Sequence, residues 1–249
     1  MRSGWLLVRR LGRHCFWHDP AVYRWFGILS GHGDCLKLDF DFWIDGYPGS
    51  ASSMTAKAFQ QANPNSRIAS RRHLPPFILN SLYNFKPGIF LIRKPEDAVI
   101  SHAILSNTTL GECLDFYNDF HRVLVPNAPW LFVVPFEELM TRVATVTEAF
   151  NLHFGTSLIP PARSPASNIP ESTGAQVAEI STSVDLKVAR PLPNKPGIRQ
   201  ELRQRLRESK VLQRKLERAR VLYQAFVPAS QAVPKFSFDV TTRQLPAMA

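Results

Sequence analysis

Three short segments of this 249-residue chain combine residue types at spacings that suit anion binding and proton transfer. The first runs from Phe42 to Phe59 through Tyr47-Pro-Gly-Ser-Ala-Ser-Ser-Met54: an apolar stretch, a turn of small residues, then a helical pattern. A strand that ends near Gly46 or Tyr47 and gives way to a helix near Ser52 leaves several N–H groups unpaired. Such groups bind phosphate or sulfate oxygens; the helix dipole adds partial positive charge, and Ser50, Ser52 and Ser53 add hydroxyl donors. The backbone from Gly49 through Ala51 to Met54 is therefore an anion-binding candidate. A GxxxxGKS/T loop needs a Lys directly before its hydroxyl residue, and none is present, which disfavours an ATPase or GTPase. Taken alone, the same serines also read as an ordinary helix start.

The second segment is Ile89-Phe-Leu-Ile-Arg93, an apolar strand that ends in an arginine, followed by the helix start Lys94-Pro95-Glu96-Asp97. Pro at the first turn and acids complementing the dipole mark that start. Ser101 follows two turns in. Arg93 at the carboxyl edge of a parallel sheet stands where open α/β folds bind ligands, and with a nearby hydroxyl it would clamp a second phosphate. The alternative is an arginine paired with Glu96 or Asp97. The third segment is Ser70-Arg-Arg-His-Leu-Pro-Pro76. His73, at a strand end beside Arg71 and Arg72, has the ordinary pKa of a general base at neutral pH; its other reading is structural. His14, His18, His32, His102, His121 and His153 show no HExxH-like spacing, so no metal is called for.

For these segments to converge, strands must deliver them to one sheet edge. Phe40 to Ile44, Arg67 to Ala69, Gly88 to Ile92 and Trp130 to Val134 are the candidate strands, and they alternate with helical stretches in the rhythm of parallel β/α units. Gly88 to Ile92 and Trp130 to Val134 are apolar throughout, which suits strands buried on both faces. The predicted class is α/β, a parallel sheet flanked by helices, with a long C-terminal helix. Residues 38–227 make the α/β domain, preceded by an N-terminal helical extension at 1–37 and followed by a tail at 228–249. Within the domain, 155–197 is a Pro-rich surface excursion or lid. The stretch 198–227 is a basic amphipathic helix, with Ile198, Leu202, Leu206, Leu212, Leu216, Ala219, Leu222 and Phe226 on one face. Pro196-Gly197 opens it and Pro228 closes it. Its charged face is either solvated, with i,i+4 pairs, or an anion-binding wall.

With 45% hydrophobic, 11% aromatic and 20% charged residues the chain can build a core, which excludes a disordered or collagen-like protein. A formal charge of +10 favours an anionic partner. Cys15, Cys35 and Cys113 share no CxxC spacing, so neither a disulfide framework nor a zinc ribbon is indicated and a reducing, cytoplasmic setting is expected. No apolar run approaches the roughly 18 residues of a membrane span. The Arg-rich, acid-poor start leaves an organelle transit peptide as the alternative to a soluble N-terminal helix. The basic helix lacks the interleaved aromatics of a nucleic-acid stacking surface, so no specific nucleic acid is expected.

In this order, the three segments resemble the sulfotransferases that use 3'-phosphoadenosine 5'-phosphosulfate (PAPS). Tyr47 to Met54 occupies the slot of a YPKSGTTW-like 5'-phosphosulfate loop. Arg72-His73-Leu74-Pro75 is similar to a THLP-like segment whose histidine is the catalytic base. Arg93-Lys-Pro-Glu-Asp-Ala-Val-Ile-Ser101 matches the Arg, Pro, Asp and Ser of the RNPxDxxxS signature that binds the 3'-phosphate, and is the most specific of the three. Pro135-Phe-Glu-Glu-Leu139 resembles the YEDL segment. The variant looks closest to a bacterial subgroup with a loop near FPRSANTF. The resemblance spans about residues 38–154, and no RKGxxGxW element is recognisable after it. It implies a P-loop-like fold and sulfuryl transfer from PAPS, without a metal, to a hydroxyl or amine of a small-molecule or glycan acceptor. It also implies His73 as base, Gly49 to Met54 on the 5'-phosphosulfate, and Arg93 with Ser101 on the 3'-phosphate.

One departure touches mechanism. Gly49 stands where relatives carry Lys or Arg, and loss of one such donor typically costs roughly 3 kcal/mol, about a hundredfold in rate. Either another cation, from Arg71, Arg72, Lys94 or the basic helix, takes over, or the protein is a slow or non-catalytic nucleotide-binding or interaction module. Met54 for an aromatic residue and Phe136 for tyrosine would weaken adenine contacts.

Overall fold

Phe42-Trp-Ile-Asp-Gly46 forms β1, the first strand of a parallel sheet in the computed structural model, which describes residues 37–162 and 196–231 together with Trp17, Asp19, Ala21, Val22 and Trp25. The chain continues through α1 (Ser52–Ala62), β2 (Ile68–Ser70), α2 (Pro75–Tyr83), β3 (Gly88–Ile92), α3 (Pro95–Ser106) and α4 (Leu110–Leu124). A 3-10 turn, Val125–Trp130, leads to β4 (Val133–Pro135), α5 (Phe136–Thr141) and α6 (Val143–Phe154); α7 (Pro196–Glu208) and α8 (Lys210–Gln231) follow. The four strands lie in the order β2-β1-β3-β4, all parallel.

Strand periodicity sorts the core into two layers. Phe42 and Ile44 of β1 with Ile89 and Leu91 of β3 point to one face, against Phe59 of α1, Leu139 of α5 and Phe150 of α6. Trp43, Phe90 and Ile92 point to the other, against α2, α3, α4 and the apolar stripe Leu206, Leu216, Ala219 and Phe226 of α7 and α8. Trp43 pairs in register with Gly88, where a Cβ would lie 1.8 Å from the indole, so only glycine admits that ring. Helices are fixed by local signals: Thr109 and Glu112 form a reciprocal capping box on α4, and Pro95 with Glu96 and Asp97 opens α3.

Several boundaries differ from the sequence expectation, among them β2, which runs Ile68–Ser70 rather than Arg67 to Ala69. The β1 ladder begins at Phe42 rather than Phe40, whose ring instead packs on Phe77 at 5.7 Å. Pro126 and Pro129 hold Val125–Trp130 in a 3-10 turn, so β4 starts three residues later than Trp130. The expected single C-terminal helix is two helices, broken at Ser209. The break has a physical cause: the Ser209 hydroxyl accepts from the Leu212 N–H at 3.4 Å and its carbonyl from Gln213 at 2.9 Å, the bonding of an N-cap. The second helix then runs past Pro228 to Gln231.

Most of the expected N-terminal extension, residues 163–195 of the Pro-rich excursion, and the tail beyond 231 lie outside the described residues. Trp17 is buried against Phe116 and Phe120 of α4. The excursion's first residues are pinned by two asparagines: Asn63 exchanges both hydrogen bonds with the Ile159 backbone, and Asn151 both with that of Leu158. No described helix is long and apolar enough to cross a membrane.

Candidate functional site

The turn after β1 is built on Pro48 and Gly49. The Ser50 N–H donates to the Tyr47 carbonyl at 3.0 Å, and Gly49 takes φ +89°, the geometry of a type II turn with Pro second and Gly third. Gly49 lies on α3: a Cβ there would stand 2.7 Å from the Ala98 carbonyl oxygen and 3.1 Å from Ser101 Cβ. Ala51 follows at φ 66°, a left-handed position that L residues occupy at a cost of roughly 1–2 kcal/mol. From it α1 departs without any side-chain cap, its first hydrogen bond running from Thr55 N–H to the Ala51 carbonyl. The N–H groups of Ser52, Ser53 and Met54 thus precede the helical ladder and have no helical acceptor to reach. Among the described residues, the buried hydroxyls of Ser50 and Thr55 have no hydrogen-bond partner.

Arg93 reaches this turn from the end of β3. Its Nη1 donates to the Gly49 carbonyl at 2.8 Å and faces Ser101 Oγ at 3.3 Å, so the first and second sequence segments meet through one guanidinium. Phe136 of α5 stacks against it, 4.1 Å from guanidinium carbon to ring centroid, and Tyr117 Oη donates to the Arg93 carbonyl. Among the described residues the buried Arg93 Nε has no partner. Glu96 and Asp97, the alternative partners for Arg93, pair instead with Arg220 of α8 and Arg203 of α7. Burial lowers the Arg93 pKa from its ordinary value; Asp97 and Glu137 oppose that, and the like charges of Arg199 and Arg203 add to it.

His73 sits at the root of the same turn. Its Nδ1 lies 2.7 Å from the Gly46 carbonyl and 3.1 Å from Asp45 Oδ1. Asp45, fully buried in β1, also accepts from the N–H groups of Gly46, Arg72 and His73 at 2.8–3.0 Å. The carboxylate thereby fills the concavity of N–H groups made by the left-handed residues Arg71 (φ 64°) and His73 (φ 50°). Burial pulls the His73 pKa down, but Asp45 and the Gly46 carbonyl outweigh it and the net is a rise; Arg71 opposes. His102, on α3, is coupled to His73: burial and then the like charge of His73 push its pKa down to about 4. Tyr47 Oη donates to the Cys113 carbonyl and lies 2.7 Å from His102 Nδ1.

No family model, curated protein or solved structure matches this chain. The site therefore stands on its own geometry.

That geometry brings Gly49, Ser50, Ala51, Ser52, Ser53, Met54, Arg93, Ser101 and His73 to the ends of β1, β2 and β3. It also adds Asp45, which motif spacing passed over, and sets Phe136, read from the sequence only as a replacement for tyrosine, against Arg93. Asp45 had a signal, an acid inside the apolar run Phe42 to Gly46, because a buried carboxylate must find donors. Phe136 had none beyond its place after β4. Among the cations that could replace one at position 49, Arg72 lies 6.0 Å from the Phe77 ring centroid and Arg203 and Arg220 engage α3 acids, whereas Arg71 bears on His73 and Arg199 on Arg93. Among the described residues no group of three or more His, Cys, Asp or Glu side chains could hold a metal ion.

Proposed function

We propose that this chain is a sulfotransferase of P-loop-like fold that moves a sulfuryl group from PAPS to a hydroxyl or amine of a small-molecule or glycan acceptor. The observation that carries this reading is the double contact of Arg93 Nη1 with the Gly49 carbonyl and the Ser101 hydroxyl, which joins the two segments that resemble a 5'- and a 3'-phosphate cradle. The residues present fit such a nucleotide. Ser50 Oγ and Arg93 Nε, without a partner among the described residues, and the uncapped N–H groups of Ser52 to Met54 offer hydrogen bonds that anionic oxygens would accept. The Ser50 N–H is not among them, since it closes the turn. In this reading Ser52, Ser53 and Met54 hold the 5'-phosphosulfate, Arg93 and Ser101 the 3'-phosphate, and His73 takes the acceptor's proton. When bound, PAPS supplies the activated sulfuryl group and a phosphate as leaving group, and positioned charge does most of the catalysis, as in phosphoryl transfer.

Gly49 favours a second reading. With its Cβ direction blocked by the Ala98 carbonyl, no loop cation reaches the leaving oxygen from this position, and the chain would serve as a nucleotide-binding or interaction module without turnover.

Calorimetry with 3'-phosphoadenosine 5'-phosphate separates these. We expect wild type and His73→Ala to bind alike, and Arg93→Ala to bind at least about 100-fold more weakly, from two charge-assisted hydrogen bonds at roughly 1.5–3 kcal/mol each. Sulfate transfer across an acceptor panel should vanish in His73→Ala; its absence in wild type, with binding intact, selects the module. Equal affinity in all three proteins together with unchanged transfer would remove both role assignments, Arg93 on the 3'-phosphate and His73 as the base.

A further inference from the structure

We propose that Asp45 is a positioning residue that fixes the His73 imidazole as its Nδ1–H tautomer and leaves Nε2 as the atom that takes a proton. The inference deepens the reading of His73 as the base and rests on it. Its argument is one of donors and acceptors. His73 Nδ1 has two neighbours within hydrogen-bond or ion-pair distance, the Gly46 carbonyl at 2.7 Å and Asp45 Oδ1 at 3.1 Å, and both are acceptors. A lone pair on Nδ1 would confront two oxygens, so the proton resides there and the lone pair resides on Nε2.

The same carboxylate sets where the ring sits. Asp45 Oδ2 accepts from the N–H groups of Arg72 and His73, which holds the left-handed backbone of the turn, and Oδ1 accepts from Gly46, which ties it to the root of the serine turn. One fully buried side chain thus sets the backbone, the ring and the tautomer of His73 relative to the anion-binding turn. The groups that face His73 are Asp45 and the Gly46 carbonyl from β1, Arg71 from its own turn and His102 from α3. Arg71 opposes a charge on the ring, and Asp45 favours it.

In the proposed reaction the acceptor O–H or N–H bond breaks and its proton moves to His73 Nε2. The freed electron pair forms the bond to sulfur, and the bond from sulfur to the bridging oxygen breaks with its pair left on the 5'-phosphate. The Nδ1 proton stays on the ring, and Asp45 compensates the imidazolium without accepting a proton.

The test is a long-range proton–nitrogen NMR spectrum of the full chain labelled with 15N-histidine, His73 being assigned by its loss in His73→Gln. A single neutral tautomer with a protonated Nδ1 is expected in wild type, with a titration that moves to lower pH and a mixed tautomer in Asp45→Asn. A wild-type His73 that carries its neutral proton on Nε2 overturns the proposal without any variant. So does a folded Asp45→Asn protein with an unchanged titration and tautomer. Failure of 3'-phosphoadenosine 5'-phosphate to bind would remove the sulfuryl-transfer reading and leave the tautomer result standing, so the two failures are distinguishable.

Discussion

At Gly49 the backbone needs φ +89° and the space beyond Cα is filled by the Ala98 carbonyl oxygen and Ser101 Cβ. The residue is thus the counterpart of the Arg93 latch: the turn lies close on α3 because nothing projects from it, and its carbonyl is then in reach of the guanidinium. Substituting lysine there should accordingly not bring a cation into the turn. We expect Gly49→Lys to lower stability by roughly 2–5 kcal/mol, from a left-handed penalty of about 1–2 plus overpacking of about 1–3. Urea denaturation measures this, and a Gly49→Lys protein as stable as wild type that binds nucleotide more tightly would show that the turn readily lifts off α3. Sequence spacing put Arg93 and the serine turn after strand ends and Ser101 two turns into the next helix, and the elements lie there. It could not reveal that Arg93 grips the turn itself, since that depends on the close approach of Gly49 to α3. The same holds for Phe136: its ring packs on the Arg93 guanidinium, a contact across 43 residues that no local pattern encodes.

Among the elements, α7 and α8 show which forces attach a basic helix to a sheet domain. Phe226 is fully buried and packs on Phe90 at 5.3 Å, while Arg220 pairs with Glu96 across a half-exposed surface. Area and solvent screening decide between them: Phe226→Ala should cost about 3–5 kcal/mol and Arg220→Ala at most about 1. Paired denaturation curves test this, and a larger loss from Arg220→Ala would mean that charge, not the apolar stripe, docks the helix. The stripe was readable from its three- and four-residue steps, yet the step from Leu206 to Leu212 is six residues. That irregularity is the mark of the Ser209 break, where a hydroxyl caps a new helix instead of facing solvent. β3 and β4 were legible because fully apolar runs must be buried, whereas strand ends depend on ladder partners such as Trp43 and Gly88 that lie far apart in sequence.

For the molecule as a whole, a formal charge of +10 says less about the fold's response to pH than two histidines do. His121 is fully buried among Tyr117, Phe90 and Phe226, donating from Nδ1 to the Tyr117 carbonyl while its Nε2 has no partner among the described residues. Burial pushes its pKa down to about 4, and burial with the nearby His73 does the same to His102. Each group is therefore neutral in the folded chain and protonated in the unfolded chain between pH 6.5 and 4. The unfolded state binds more protons there, so stability is full above pH 6.5 and is lost as pH falls through this window. His73 runs the other way: its raised pKa contributes stability that is complete below 6.5 and is lost as pH rises through its folded value. With two protons taken up on unfolding, the acid slope approaches at most about 3 kcal/mol per pH unit. Denaturant midpoints measured from pH 7 to 4.5 should fall steeply. His121→Asn, whose amide keeps the donor to the Tyr117 carbonyl, should remove about half of that slope; a slope unchanged by this substitution would mean that His121 is not protonated on unfolding and that acid acts elsewhere in the molecule.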